Sequence, residues 1–426
     1  MHKKSSDGSA LDYQELASSL GYVNGNRYAP YCELKIISAF QPIYSIAHRR
    51  IVGLEGLARG VDSSNKIVPP MQLFDVASTS EAIALDRLCQ LVHMENFAAL
   101  SPPNVWLFLN VNPHTLTEQK RYSEFLTALV AQQDYQPNQI VIEVLESMID
   151  DEQKLEQDIH EYKKMGFLIA IDDFGAGQSN FERIWRIKPD IVKLDRSMLK
   201  KAGVDPSVKN LLKGITSMLH NCKCIVLAEG VETEAEAIAA MDGGVDLVQG
   251  FYFAHPFLLS ESIETRTGLW QELYQNFDQL SRLSLSRHQS LLAPYIDTFT
   301  TATTGALKRA NLVEISAQLL PLPKTIRLYQ LAMDGSQCFS NVNSTTIYID
   351  TRDRLKALAD TQGASWKRRD YFFSASSNPG VVQVSKPYFS ISDGTLCITL
   401  SVQTKIDDEH FIVCCDVLWE EGGSQS

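Results

Sequence analysis

Two carboxylates stand side by side at Asp172 and Asp173, where the apolar run Phe167–Ile171 ends and just before Gly175 and Gly177. The run reads as a buried strand, so the pair costs hydration and mutual repulsion unless a cation or several donors offset it. Other apolar runs end on Glu55, Asn110, Glu143, Lys193, Glu229 and Gln249. Gathered in one volume, these make a cluster of hard oxygen donors around a lysine, without a matching histidine or cysteine set, and such a cluster selects Mg2+ or Mn2+ over zinc. Adjacent aspartates suit two ions roughly 3.5–4 Å apart, and hydrolysis of a phosphodiester is the reaction that this arrangement serves best. Gly175 and Gly177 fit a mobile loop beside the ions. The plainer alternative is a solvent-facing loop in which one aspartate caps the next helix.

The acids meet only if the runs are strands with their ends on one face. From about residue 35 to 256, short apolar runs alternate with segments such as EAIALDRLCQLVHMENFAAL that carry apolar residues at helical spacing. About eight such units predict an α/β fold whose strands close into a barrel, with functional groups at the C-terminal strand ends. Only AHRR separates the first two runs, which predicts a hairpin and hence one antiparallel barrel strand. Residues 1–34 form an N-terminal segment, 35–258 the barrel, 259–320 an amphipathic helical linker with Trp270, Leu273 and Phe277 on one face, and 321–426 an α+β domain of short strands.

The motifs stand in order: Glu55-Gly56-Leu57-Ala58-Arg59, LNVNP, Glu143-Val-Leu-Glu146, DDFGAGQSN, Lys193-Leu-Asp195, AEGVET and QGFYFAHP. In that order and spacing they resemble the EAL-type cyclic di-GMP phosphodiesterases over roughly residues 35–256. The resemblance implies a modified TIM (β/α)8 barrel that hydrolyses cyclic di-GMP to the linear dinucleotide with two Mg2+ or Mn2+ ions. By the same resemblance, Glu55, Asn110, Glu143 and Asp172 hold the first metal, Asp173 helps hold a second, and Glu229 is a ligand or the general base for water. Lys193 steadies the attacking water or the phosphate, and Arg59 clamps a phosphate oxygen. Glu146 braces the loop after the double aspartate. Gln41, Gln249 and Glu232 line the metal or guanine side, and Leu57 belongs to the substrate-contacting signature. Two other readings stay open: Lys193 as the ion-pair partner of Asp195, and Arg59 closing a salt bridge at the barrel rim.

Two departures stand out. Gly56 occupies a position where the family usually has alanine, and Ala176, Gln178 and Asn180 replace the family's common Thr, Tyr and Ser. Gln178 removes an aromatic that would pack the loop, which favours altered metal affinity or dimer-linked activation. A non-catalytic receptor for the same dinucleotide is the alternative function. All the metal-site acids are present, which favours the enzyme.

The stretch ASWKRRDYFFSASSNPGVVQVSKPYFSISDGTLCITLSVQ, followed by FIVCCDVLWEE, resembles a Cache or PAS-like sensor domain. That likeness implies a small-molecule pocket lined by Trp366, Arg368, Tyr371 and Asp416, with Asp416 facing a cationic group. The alternative is that Trp366 and Tyr371 are core, Arg368 is solvated and the domain only dimerises.

With a net charge of -12, the chain has no basic footprint for DNA or an anionic membrane, so an anionic ligand must be held by a local site. No apolar run is long enough to span a bilayer, and none follows the N-terminal lysines, so the expectation is a cytoplasmic protein without membrane insertion. The eight cysteines lack zinc-ligand spacing and read as reduced packing thiols. A homodimer is the expected assembly.

Overall fold

Twelve-residue strands at Leu34–Ser45 (β1) and Arg50–Val61 (β2) form an antiparallel hairpin in which Gln41 lies opposite Glu55. Six further strands run parallel to β2: Trp106–Asn110 (β3), Ile140–Leu145 (β4), Leu168–Phe174 (β5), Ile191–Leu194 (β6), Ile225–Ala228 (β7) and Leu247–Val248 (β8). β8 pairs antiparallel with β1, which closes the eight strands into a barrel with β1 as the reversed one. In this computed structural model, residues 13–420 are described except 24, 77, 117–119, 146–151, 177–180, 262–266, 305–311, 346–357 and 407–408. The chain divides into two compact units between Asp278 and Gln279.

Local chemistry explains where the barrel's helices begin. Ser78 caps the helix Thr79–Leu100 (α1) by accepting from the Glu81 amide, Asp195 caps Arg196–Ala202 by accepting from Ser197, and Thr233 with Glu236 makes a capping box ahead of Glu234–Asp242. Asp195 is therefore a cap rather than the partner of Lys193. The outward faces of the strands and the inner faces of the helices share one apolar core that includes Leu85, Leu91, Phe97, Leu107, Ile142 and Val226. Leu269 and Leu273, in the first turns of the helix Leu269–Thr304 (α2), belong to that core as well.

The second unit is built on a six-stranded antiparallel sheet. Its strands are Thr325–Ala332 (β9), Val342–Asn343 (β10), Gln383–Val384 (β11), Tyr388–Phe389 (β12), Leu396–Ile406 (β13) and Glu409–Leu418 (β14). They run in the order β10-β9-β14-β13-β11, with β12 also on β13. Alternation along the strands covers both faces. Leu328, Leu400 and Cys415 pack against Phe299 of α2 and Leu319, while Tyr329, Leu331 and Cys414 pack against Tyr371 and Phe372. The adjacent Cys414 and Cys415 are thus buried on opposite sides of one strand. One of the short apolar runs expected as strands of this domain, TTIYIDT at residues 345–351, lies almost wholly outside the described residues. Among the described residues no helix is long and apolar enough to cross a membrane.

Candidate active site at the barrel mouth

The barrel interior is built in two tiers. Ile43, Phe108, Val141, Ala170, Ile191, Leu227 and Leu247 belong to one buried cluster inside the barrel. Two residues further along the parallel strands, and so on the same face, come Asn110, Glu143, Asp172, Lys193, Glu229 and Gln249. On the reversed β1 the same step is read backwards, from Ile43 to Gln41. An apolar floor therefore carries a polar ring at the C-terminal ends of the parallel strands, where barrels of this type place their chemistry.

Lys193 is the hub of that ring, with its side chain 1% exposed. Its Nζ lies 2.6 Å from Glu143, 2.5 Å from Glu229, 3.2 Å from Asp172 and 3.8 Å from Glu55. Burial alone would lower the lysine pKa, but Asp172, Glu143, Glu229 and Glu55 outweigh it and hold the ammonium well above its ordinary value. The carboxylates divide. Burial pushes Glu143 well above the usual range against the pull of Lys193, with Glu55, Asp172 and Glu229 adding to the rise. Burial likewise pushes Glu229 up to about 8. Burial is also the largest influence on Glu55, yet Lys193 and hydrogen bonds donated by Asn110 (2.8 Å) and Gln249 (2.7 Å) carry it below its ordinary value.

Four carboxylates share one ammonium, and Glu143 Oε2 is buried with no hydrogen-bond donor among the described residues. Clustered oxygen donors in charge excess with an orphaned carboxylate oxygen fit divalent cations.

The adjacent aspartates have a specific structural cause. Neighbouring residues on a regular strand face opposite ways, but the β5–β6 register breaks between Ile171 and Phe174. Asp173 takes a left-handed backbone with φ 56°, and its amide donates to Asp172 Oδ1 at 2.9 Å. The break leaves Asp172, Asp173 and Glu229 each with a carboxylate oxygen within 4.8 Å of the others. Among the described residues, neither aspartate stands at the start of a helix.

A cavity of about 240 Å3 opens above the ring, walled by Gln41, Glu55, Asp172, Lys193, Glu229 and Gln249. Glu232 also lines it, exposed and 3.4 Å from Arg196. Leu57 and Arg59 lie further along β2 and are not part of this wall. Arg59 donates from Nη1 to the Ala58 carbonyl, and burial lowers its pKa while Glu55 opposes that shift. Glu146 and Gln178 fall outside the described residues. Two wall residues were not anticipated. Arg196 follows the Lys-x-Asp element directly, and its stem packs over Gly230, where a Cβ would meet it at 2.5 Å. Phe251 is half-exposed, with its ring centroid 4.3 Å from that of His255. The sequence signal was, for Arg196, its place after Asp195 and, for Phe251, its place inside the QGFYFAHP motif.

The expected pocket in the second unit needs correction. Trp366, Tyr371 and Asp416 do line a common cavity, but Arg368 is exposed and Arg369 takes its place. The Arg369 guanidinium lies 5.0 Å from the Tyr388 ring centroid and 6.0 Å from that of Trp366. Asp416 does not await an external cation. Its Oδ2 accepts from Arg327 Nε at 2.7 Å, and its Oδ1 accepts from Thr399 and Tyr329. Arg327 also bonds Asp393 and Ser390, so the cation is internal. The remaining space, about 10 Å3, is near the minimum for one water.

A closed barrel with one reversed strand defines a (β/α)8-type protein whose acidic groups gather at the C-terminal strand ends. This chain belongs to the EAL-domain family, whose model matches residues 33–256. It is 26% identical over 234 residues to the probable cyclic di-GMP phosphodiesterase PdeI of Escherichia coli K12, a match covering 53% of this chain and 29% of that protein. It is 25% identical over 224 residues to the cyclic di-GMP phosphodiesterase RocR of Pseudomonas aeruginosa, covering 51% of this chain and 56% of that one. Less than two thirds of each of these relatives is thus spanned. The structure of the Bacillus subtilis YkuI protein, which has an EAL domain and holds cyclic di-GMP as substrate with calcium, superposes with a TM-score of 0.74 at 19% identity. That match covers 97% of this chain and all of that one, so the likeness of fold extends over both units.

Proposed function

We propose that the barrel hydrolyses cyclic di-GMP to the linear dinucleotide in a reaction that depends on divalent cations. The observation that carries this reading is the convergence of Glu55, Asn110, Glu143, Asp172, Asp173, Glu229 and Lys193 at one barrel mouth, in a family whose matched relatives include named cyclic di-GMP phosphodiesterases. Glu55, Asn110, Glu143 and Asp172 would hold one ion, and Asp173 with Glu229 would contribute to a second. Mg2+ or Mn2+ are the expected ions, and calcium accompanies the dinucleotide in the Bacillus relative. Such ions supply Lewis-acid polarisation of the phosphodiester and acidify water.

The chain's own groups do the rest. Glu229, at the cavity wall, accepts the proton of the attacking water, and Lys193 at the cavity floor donates a hydrogen bond to that water or to a phosphoryl oxygen. Arg59 and Arg196 meet the ligand's phosphates, while Gln41, Leu57, Gln249 and Glu232 contact its guanine side. Water adds to phosphorus, one ester P–O bond breaks, the departing sugar oxygen takes up a proton to become a hydroxyl, and the ring opens with the phosphate left as a monoester. The second unit is read as a PAS/Cache-like domain that regulates the barrel, supported by its antiparallel sheet, the helical entry along α2 and the Tyr388–Phe389 hairpin onto β13. A homodimer is the proposed working form.

The deciding experiment incubates the purified full chain with cyclic di-GMP and Mg2+ or Mn2+, beside a Glu55→Ala control, and separates products by chromatography. Linear dinucleotide from the parent alone supports the reading. Retained binding without product from the parent would replace it with the receptor function.

A further inference from the structure

Gly56, the departure inside the Glu-x-Leu-x-Arg signature, meets the buried ring of His93 on α1. A Cβ built on Gly56 would lie 2.8 Å from His93 Cγ, 3.0 Å from Cδ2 and 3.1 Å from Cβ. Distances this short demand a shift of the strand or the helix, because carbon atoms rest at about 3.5–4.0 Å. Gly56 has no left-handed backbone to explain the glycine, so the reason is space. Phe40, opposite Gly56 across the hairpin, adds a T-shaped contact to the same imidazole.

The imidazole cannot swing away. His93 is 4% exposed, and its Nδ1 is hydrogen-bonded to Ser38 Oγ at 2.8 Å. Ser38 in turn accepts from Asn96 Nδ2, and Asn96 exchanges two hydrogen bonds with the Arg27 backbone. A buried polar chain thus locks the ring to β1, to α1 and to the strand Asn26–Tyr31. Burial first, then Arg59, pushes its pKa down to about 3 against the pull of Glu55, so the ring stays neutral.

Glu55, one residue before Gly56, points to the opposite side of β2 into the polar ring. Its two oxygens are held at 2.8 Å by Asn110 and at 2.7 Å by Gln249. Movement of β2 away from α1 therefore moves Glu55 relative to both partners, of which Gln249 is buried.

We propose that Gly56 and His93 are a matched pair that sets the depth of β2, and that His93 is thereby a positioning residue for Glu55. The proposal rests on the functional reading above only in treating Glu55 as a cation ligand. It also accounts for the departure at residue 56: the imidazole occupies the volume that an alanine methyl would need.

The test is a double-mutant cycle on the full chain with Gly56→Ala, His93→Ala and the pair together, read by thermal unfolding and by calorimetric titration with Mn2+ alone. Gly56→Ala is expected to lower the melting temperature and weaken Mn2+ binding by about tenfold or more, the size seen when the support of a metal ligand is lost. In the double variant only the Cβ–Cβ approach remains tight, so both losses should shrink well below the sum of the single effects. His93→Ala alone still folds around a cavity and supplies the reference corner of the cycle if Gly56→Ala does not fold. Additive effects on both readouts, or a folded Gly56→Ala that binds Mn2+ as the parent does, would overturn the proposal. So would a parent that binds no Mn2+. A parent that binds Mn2+ but does not cleave cyclic di-GMP would refute the catalytic reading and leave this test in force.

Discussion

At the scale of single residues, Lys193 is the side chain on which most depends. In the metal-free protein it is the cation shared by four carboxylates, and without it their charges lie buried together. Lys193→Met should therefore cost about 3–5 kcal/mol of folding stability in EDTA. Added Mn2+ should restore most of that loss, because a divalent ion takes over the neutralisation, whereas activity should stay low. Denaturant unfolding with and without Mn2+ checks both halves. Gly250 makes a sharper local demand. A Cβ there would meet the Val231 carbonyl oxygen at 2.2 Å, and Val231 donates its amide to Gln249 at 3.0 Å. Gly250→Ala is expected to destabilise by at least about 1–3 kcal/mol and to displace Gln249 from Glu55, which lowered thermal stability together with weakened Mn2+ binding would show.

At the scale of elements, α1 supports the loop after β3 through Asp86. That carboxyl accepts from the Asn112 amide at 3.2 Å and from Gln90 Nε2 at 2.9 Å, and burial pushes its pKa up to about 7 despite those bonds. A raised pKa means that the folded chain keeps a proton the unfolded chain releases. The stabilising share is then complete below the ordinary value of 3.8 and is lost as pH rises through about 7. Asp86→Asn mimics the protonated form. Its stability should track the parent near pH 4 and exceed it increasingly up to pH 8, by as much as about 4 kcal/mol. Unfolding midpoints across that range measure the difference. The strand ends of the barrel were legible in the sequence because Glu143, Asp172 and Glu229 each close a short apolar run, a pattern that sequence alone displays. The break at Asp172–Asp173 was not legible, because it consists of a register between β5 and β6.

At the scale of the whole molecule, the second unit hangs on a buried charge cluster of its own. Arg327 on β9 answers Asp416 on β14 and Asp393 in the turn before β13, and Arg327→Met would strand both aspartates. The expected cost is about 3–5 kcal/mol, with faster hydrogen exchange in β9, β13 and β14 and unchanged protection in β2–β7. Exchange that rises equally in both units would count against this assignment.

The barrel, its reversed strand and the acid ring follow from patterns a few residues long, so the sequence by itself determined them. Contacts between distant segments were decided only in the folded chain. Arg327 reaches Asp416 across 89 residues, which turned an expected ligand contact into an internal ion pair. Arg369 rather than Arg368 lines the second cavity, a choice made by the start of the helix Asp370–Ser377. Gly56 reads as an unexplained departure until α1 lays His93 against it. The physical reason is the same in each case: periodicity is written in neighbouring residues, whereas register, packing distance and charge pairing exist only once separate elements have met.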